Sequence, residues 1–287
     1  MRVDPCRPLA VAIILALAVP GSATSAPVDA PTSGPVLDLR YRTENVDDAA
    51  YVQDAEVHTL RLRLGYRWVF APGWQLYADG EHVQPLFGEH YNSTANGKTQ
   101  YPVVADPKST ELNQAFIRWG NEASSAALGR QRVMLDNQRF FGNVGWRQNE
   151  QTFDALALGH SFGGGGPTLQ YFYLDRVLRV FGRDNPAKLL SRWRLDGHLL
   201  HADQVLPLGK LAAYGYLVEN RDVATLSTQT WGLRWTGQKE LAAVTPGWTL
   251  EYAHQSDWRN NPLSVSADYR LVEGSLKWRA VTFKAGQ

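Results

Sequence analysis

The sequence predicts an all-β fold: a transmembrane antiparallel up-and-down β-barrel of the outer membrane, with about thirteen strands. Three observations point to it. Hydrophobicity alternates with period two rather than with the period of a helix. Long and short connections alternate along the chain. Aromatic residues gather where strands meet the short connections.

The N-terminus is read separately. Arg2 and Arg7 precede an unbroken apolar run, Leu9 to Val19, which Pro20 and Gly21 end before small residues through Ala26. A basic n-region, an apolar h-region and a small-residue cleavage zone define a signal peptide over 1–26. The run is too short to span a bilayer as a helix. Cys6 lies ahead of the h-region, so it is no lipid-attachment cysteine, and it leaves with the peptide. The mature chain is expected to carry no cysteine and twenty-seven charges of each sign. Residues 27–35, rich in Pro, Ser and Ala, form a flexible lead-in. The barrel domain is assigned to 36–287.

The first strands show the alternation most clearly. Leu37, Leu39 and Tyr41 oppose Asp38, Arg40 and Arg42. Leu60, Leu62, Leu64, Tyr66 and Trp68 oppose Arg61, Arg63 and Arg67. Trp74, Leu76 and Ala78 oppose Gln75, Asp79 and Glu81. Strands are expected over 36–44, 57–70, 74–86, 110–119, 125–135, 152–162, 167–176, 192–205, 211–219, 228–236, 248–256, 268–278 and 281–285. Most approach the length a tilted strand needs to cross a bilayer. Short turns fall at 71–73, 120–124, 163–166, 206–210 and 279–280. Long connections fall at 45–56, 87–109, 136–151, 177–191, 220–227 and 257–267, and 237–247 is intermediate. Short turns on one rim and long loops on the other suit a membrane barrel; a soluble sandwich has no reason to sort its loops. Trp68, Phe70, Trp74, Trp119, Phe162, Trp235, Trp248 and Trp278 sit at the turn ends, as an interfacial girdle would.

Composition excludes several classes. The 29 Lys and Arg residues against 28 Asp and Glu leave no basic surplus for nucleic acid. One cysteine excludes a disulfide scaffold and CxxC metal sites. His198 and His201 fall in a strand, three apart, and so face opposite sides; they cannot share a metal. Gly163–Gly166 lacks the Lys-Ser/Thr and helix of a phosphate loop and reads as a tight turn. No serine sits in a GxSxG context. No enzyme activity, cofactor or metal is expected.

Residues 129–155 read Gly-Arg-Gln-Arg-Val-Met-Leu-Asp-Asn-Gln-Arg-Phe-Phe-Gly-Asn-Val-Gly-Trp-Arg-Gln-Asn-Glu-Gln-Thr-Phe-Asp-Ala. This stretch resembles the signature of the alginate export family of outer-membrane proteins, and 64–86 and 111–119 resemble its strands. The resemblance implies an eighteen-stranded barrel with an arginine-rich pore that passively exports an anionic polysaccharide. Against that pattern thirteen strands is an odd number, and the chain stops at Gln287 without the usual terminal aromatic. A C-terminally truncated chain, short by about five strands, is therefore expected.

The candidate pore-lining and substrate-binding residues follow. Arg40, Arg42, Arg61, Arg63 and Arg67 oppose lipid-facing residues, and an arginine facing lipid at the midplane would cost about 2–4 kcal/mol. Arg130, Arg132, Arg139 and Arg147 belong to the family-like stretch. Asp79, Glu81, Glu111, Asp136, Glu150 and Asp154 supply opposing charge. Arginine rings attract carboxylates, and ion pairs hold them rigid. The segment Leu135–Glu150 has no clean period; it either folds into the barrel and narrows it or stays an ordinary surface loop. The leading expectation is thus a polysaccharide channel of a Gram-negative outer membrane. The alternatives are a general or small-solute porin and a non-transporting surface barrel used for adhesion. Expected partners are an anionic polysaccharide or small anionic solutes, outer-membrane lipid, periplasmic chaperones and the barrel-assembly machinery.

Overall fold

The structure, a computed structural model, describes residues 32–287 and the dipeptide Ala16–Leu17. The signal peptide expected over 1–26 otherwise lies outside the described residues. Thirteen strands run between residues 34 and 286. They are β1 (Gly34–Val46), β2 (Ala55–Ala71), β3 (Trp74–Pro85), β4 (Ser109–Gly120), β5 (Ser124–Gln131), β6 (Thr152–Ser161) and β7 (Thr168–Leu178). Then follow β8 (Arg192–Leu206), β9 (Gly209–Asn220), β10 (Thr228–Gln238), β11 (Val244–Asp257), β12 (Ser266–Trp278) and β13 (Val281–Gly286). Each pairs antiparallel with its sequence neighbours in one up-and-down sheet. Ala16 and Leu17 pair with Thr282 and Val281 at the β13 edge. Among the described residues β1 and β13 are not paired with each other, so the closure implied by the eighteen-stranded resemblance is not seen.

Every expected strand is present, with shifts at the ends. The largest, four residues each, are in β5, which stops at Gln131 rather than at residue 135, and in β11, which starts at Val244 rather than at residue 248. Beyond Gln131 the chain leaves the sheet, so Arg132 belongs to a loop. The intermediate connection shrinks because Val244, Thr245 and Pro246 pair with Trp278, Lys277 and Leu276.

The two faces of the sheet have opposite chemistry. In β1 and β2, Leu39 and Leu64 are 66 % and 56 % exposed, whereas Arg61 and Arg63 are 4 % and 5 % exposed. Apolar side chains thus form the outer face, and charged ones are covered on the inner face. That sorting reverses a soluble protein's and suits a hydrocarbon solvent. Trp68, Phe70, Trp74, Phe162 and Trp278 are exposed on the outer side beside the short turns. Trp74 lies 6.5 Å from Trp119, and Trp235 lies 5.7 Å from Trp248. Gly73, in the turn between β2 and β3, takes φ +77, which a Cβ would disfavour.

What covers the inner face is the 132–151 segment. Its Phe140 and Phe141 join an apolar cluster built from Phe153, Leu174, Leu199, Tyr214, Tyr216 and Ala253. The 86–108 loop also folds over, with Tyr91 and Val104 packed on Ala55 and Val57 of β2.

Candidate functional site

The inner face of β1–β4 is built by period-two placement. Asp38, Arg40, Arg42 and Glu44 of β1 share a face. They stand beside Thr59, Arg61, Arg63 and Arg67 of β2, and Tyr77, Asp79 and Glu81 of β3 complete the wall. Arg61 Nη2 donates to Asp38 at 2.6 Å, and Arg63 Nε donates to Glu81 at 2.7 Å. Asp79 accepts from the Gln114 backbone N–H at 2.9 Å and from Asn113 Nδ2 at 3.1 Å.

The 132–151 loop is anchored on this wall. Arg40 donates to the carbonyls of Gly145, Trp146 and Arg147 at 2.9, 2.7 and 3.1 Å. Arg61 Nη1 donates to the Gln148 carbonyl at 3.1 Å. Gln148 Nε2 donates to the Thr59 hydroxyl at 2.8 Å, and the Gln148 N–H donates to Asp106 at 2.9 Å. Ser109 donates to Asn149 Oδ1 at 2.7 Å. Asp106 also pairs with Arg42. The loop carbonyls have left the sheet ladder, and arginine donors replace the lost partners.

Glu150 is the hub. It accepts from Arg132 Nη2 at 2.6 Å, from Asn113 Nδ2 at 2.8 Å and from Asn143 Nδ2 at 2.8 Å, with Arg63 Nη1 at 3.2 Å. Burial raises its pKa, but the Arg132 hydrogen bond and the charges of Arg63 and Arg132 outweigh that and hold the carboxyl below its ordinary range. Asp136 follows the same logic. Burial raises it, yet the 2.9 Å hydrogen bond with His201 Nε2 leads the terms that bring it below its ordinary value.

The far side of the loop touches a different wall. The Phe140 ring lies 5.8 Å from Tyr214 of β9 and 5.8 Å from Tyr269 of β12; Phe141 lies 5.1 Å from Tyr216. The segment therefore reaches from the β1–β4 wall to the β9–β12 wall. Of the two readings of Leu135–Glu150, the structure adopts the inward one.

Inner guanidinium groups without a carboxylate partner among the described residues include Arg40, Arg67, Arg118 and Arg139. Arg67 lies 5.8 Å over Tyr77, Arg118 lies 5.7 Å over Phe116, and Arg139 lies 5.0 Å over Tyr269. Tyr77 and Phe116 stack at 5.3 Å. An aromatic face holds a cation in place without neutralising it. Arg67, Arg118 and Arg139 therefore keep a charge that no carboxylate offsets, and Arg40 keeps its charge while donating to loop carbonyls.

The expected site residues divide accordingly. Arg40, Arg42, Arg61, Arg63, Arg67, Asp79 and Glu81 lie on the inner face, Glu111 shares it, and Arg132, Arg139, Arg147, Asp136 and Glu150 belong to the inward loop. Arg130 and Asp154 do not. Alternation through β5 and β6 puts Ala127, Gly129, Gln131, Phe153 and Ala155 inward. Arg130 and Asp154, paired at 2.8 Å, share the outer face with Leu128 and Leu158, which are 59 % and 42 % exposed. The inward expectation for Arg130 rests on the family-like stretch and that for Asp154 on its role as an opposing charge, neither on strand parity. The sequence reading also passed over Asp106, Arg118 and the Phe140–Phe141 pair. Arg118 had a signal, since Gln75, its cross-strand neighbour, was already on the inward list. The other three have none, because loop residues carry no period.

A wide up-and-down sheet, apolar outside, charged inside and crossed by an inward loop, has the design of a porin wall. Neither a protein-family model nor a curated protein matches the chain. Solved structures do. OccAB2 of Acinetobacter baumannii is 16 % identical, with a TM-score of 0.71 over 88 % of this chain and 65 % of that one. OpdK of Pseudomonas aeruginosa, solved with vanillate, is 14 % identical, with a TM-score of 0.62 over 88 % and 65 %. OccK2 (OpdF) of Pseudomonas aeruginosa, in complex with glucuronate, is 14 % identical, with a TM-score of 0.61 over 88 % and 62 %. At these identities the likeness is one of fold, and this chain spans 62–65 % of the length of those three.

This corrects the alginate export resemblance. The fold neighbours are Occ-type outer-membrane porins, not alginate exporters. The physical reason lies in what 129–155 encodes: the end of β5, an inward loop and the start of β6. Any wide barrel narrowed by a loop needs turn-forming Gly and Asn, arginines to satisfy the freed carbonyls, and a carboxylate to hold those arginines. Such a stretch reports the architecture and not the cargo.

Proposed function

We propose that this chain forms the wall of an outer-membrane porin that admits small anionic solutes. The observation that supports this is the set of inner arginines without carboxylate partners, beside a loop that crosses the inner face. Fixed guanidinium groups on a water-filled path select for anions, and carboxylates suit their forked geometry. Neighbouring ion pairs keep the remaining arginines rigid, so a solute meets a preorganised surface. Small carboxylates fit better than a polymer, because the loop occupies the inner face. Vanillate with OpdK and glucuronate with OccK2 (OpdF) agree with that class.

The test is a swelling assay on liposomes carrying the full chain. Glucuronate is expected to enter faster than glucose of similar size. Equal or slower entry of glucuronate would remove the anion preference. Absence of swelling with either solute would support a non-transporting surface barrel instead.

A further inference from the structure

The outer face carries a feature that solute passage does not use. Arg130 of β5, Asp154 of β6, Arg176 of β7 and Arg194 of β8 are successive cross-strand partners on that face, at the long-loop end. Arg194 Nη2 donates to Asp222 at 2.7 Å, and Arg176 Nη1 donates to Asp154 at 3.3 Å, with Asp175 at 3.8 Å. The single helical turn Lys188–Ser191 brings Lys188 and Leu189 beside Arg192. Together Arg176, Lys188, Leu189, Arg192, Arg194 and Asp222 line one open cleft. Lys188 and Arg192 are exposed and make no ion pair among the described residues. Counting Arg130, five cations meet three carboxylates here.

The chemistry changes in order down the same outer strips. On β7 Arg176 gives way to Tyr173, Tyr171 and Leu169. On β8 Arg194 gives way to Asp196, which is neutralised by Arg259 at 2.7 Å and Arg221 at 3.4 Å, and then to His198, Leu200 and Ala202. Tyr171 bonds His198 Nδ1 at 2.7 Å. An apolar groove follows, with Ala202, Ala213 and Gly215 as its floor and Leu200, Trp231 and Leu233 as its sides. A side chain at Gly215 would collide with the Trp231 ring, so the small residue is required for that ring to lie flat. From Arg194 to Leu200 the rise is about 20 Å at ~3.3 Å per residue, within the length of one lipid. The order is therefore charged rim, aromatic and imidazole band, then hydrocarbon groove.

We infer that this face binds the phosphate-bearing headgroup of an outer-leaflet lipid. Lys188 and Arg192 contact the phosphate, and an acyl chain lies in the groove beside Trp231. Arg176 and Arg194, held by Asp154 and Asp222, set the second side of the cleft. The inference rests on the chain being a membrane barrel, as proposed above.

The experiment folds the full chain into phosphatidylcholine vesicles and measures tryptophan quenching by brominated phosphatidate against brominated phosphatidylcholine. The expected result is a preference for phosphatidate of roughly thirtyfold, from two unpaired cations. The double variant Lys188→Gln/Arg192→Gln should lose that preference, and Lys277→Gln, at the opposite rim, should keep it. Equal quenching by the two lipids, or an unchanged preference in the double variant, overturns the inference while leaving the porin reading intact. Loss of the preference in excess inorganic phosphate would show a free-anion site and overturn the lipid assignment. Failure to insert into vesicles at all would sink both.

Discussion

The two walls that the inward loop touches are built from different chemistry. The β1–β4 wall is ionic: Arg61 meets Asp38, Arg63 meets Glu81 and the loop's Glu150, and Arg40 and Arg61 donate to loop carbonyls, all at 2.6–3.2 Å. The β9–β12 wall is aromatic: Tyr214, Tyr216 and Tyr269 receive Phe140 and Phe141. The ionic wall satisfies loop carbonyls that have no sheet partner, whereas Tyr214 of the aromatic wall spends its hydroxyl on Glu251 and meets the loop through its ring. The aromatic wall offers packing without orientation. One wall therefore fixes the position of the loop, and the other sets how firmly its tip is held.

This division can be broken from either side. The largest effect is expected for Glu150→Gln. It leaves Arg63 and Arg132 short of a buried counter-charge, and breaking a buried ion pair by removing one partner costs about 3–5 kcal/mol. The urea midpoint of the folded chain should fall, and trypsin should cut at Arg139 or Arg147. An unchanged midpoint would show that Glu150 is no hub.

A smaller loss is expected for Phe141→Ala. Its ring is partly buried, so about 2 kcal/mol is expected, below the cost for a fully buried ring. Here the loop stays on the ionic wall, and cleavage should begin at Arg139 alone. Simultaneous cleavage at Arg147 would mean that the two walls are not separable.

Acid gives the smallest and most graded effect. Glu150 and Asp136 both have folded-state pKa values below their ordinary values of 4.5 and 3.8. Their contribution is therefore full above those values and is lost as the pH falls through the lower, folded-state ones. Protection of Arg139 from acid-tolerant proteolysis or oxidative labelling should stay constant from neutrality down to about pH 5 and decline below it. A decline centred near neutrality would assign the anchor to another group.

The sequence made the fold legible because strand parity is a strong local code. Leu60 through Trp68 alternates without a break, and the apolar partners were all found on one face. The same code placed Arg40, Arg42, Arg61, Arg63 and Arg67 correctly on the other face. Arg130 is placed by a motif and Asp154 by charge complementarity instead of by parity, and both lie on the outer face. Applying parity from Leu128 would have turned both outward. The loop was a different problem. Phe140, Gln148 and Glu150 get their roles from strands 37 to 129 residues away in sequence, and no periodicity reaches that far. Asp106 was invisible for the same reason: it sits in a turn-rich loop and meets Arg42 only after the chain has folded.

The central claim is that the inner face presents unpaired guanidinium charge to passing solutes. The most direct measurement is the reversal potential across a planar bilayer holding the full chain under a potassium chloride gradient. Anion selectivity is expected, weakened by Arg67→Glu and reversed in Arg67→Glu/Arg118→Glu/Arg139→Glu, whereas Arg130→Glu on the outer face leaves it unchanged. Cation selectivity in the unaltered chain, or a response to Arg130→Glu as large as that of the triple variant, would contradict it.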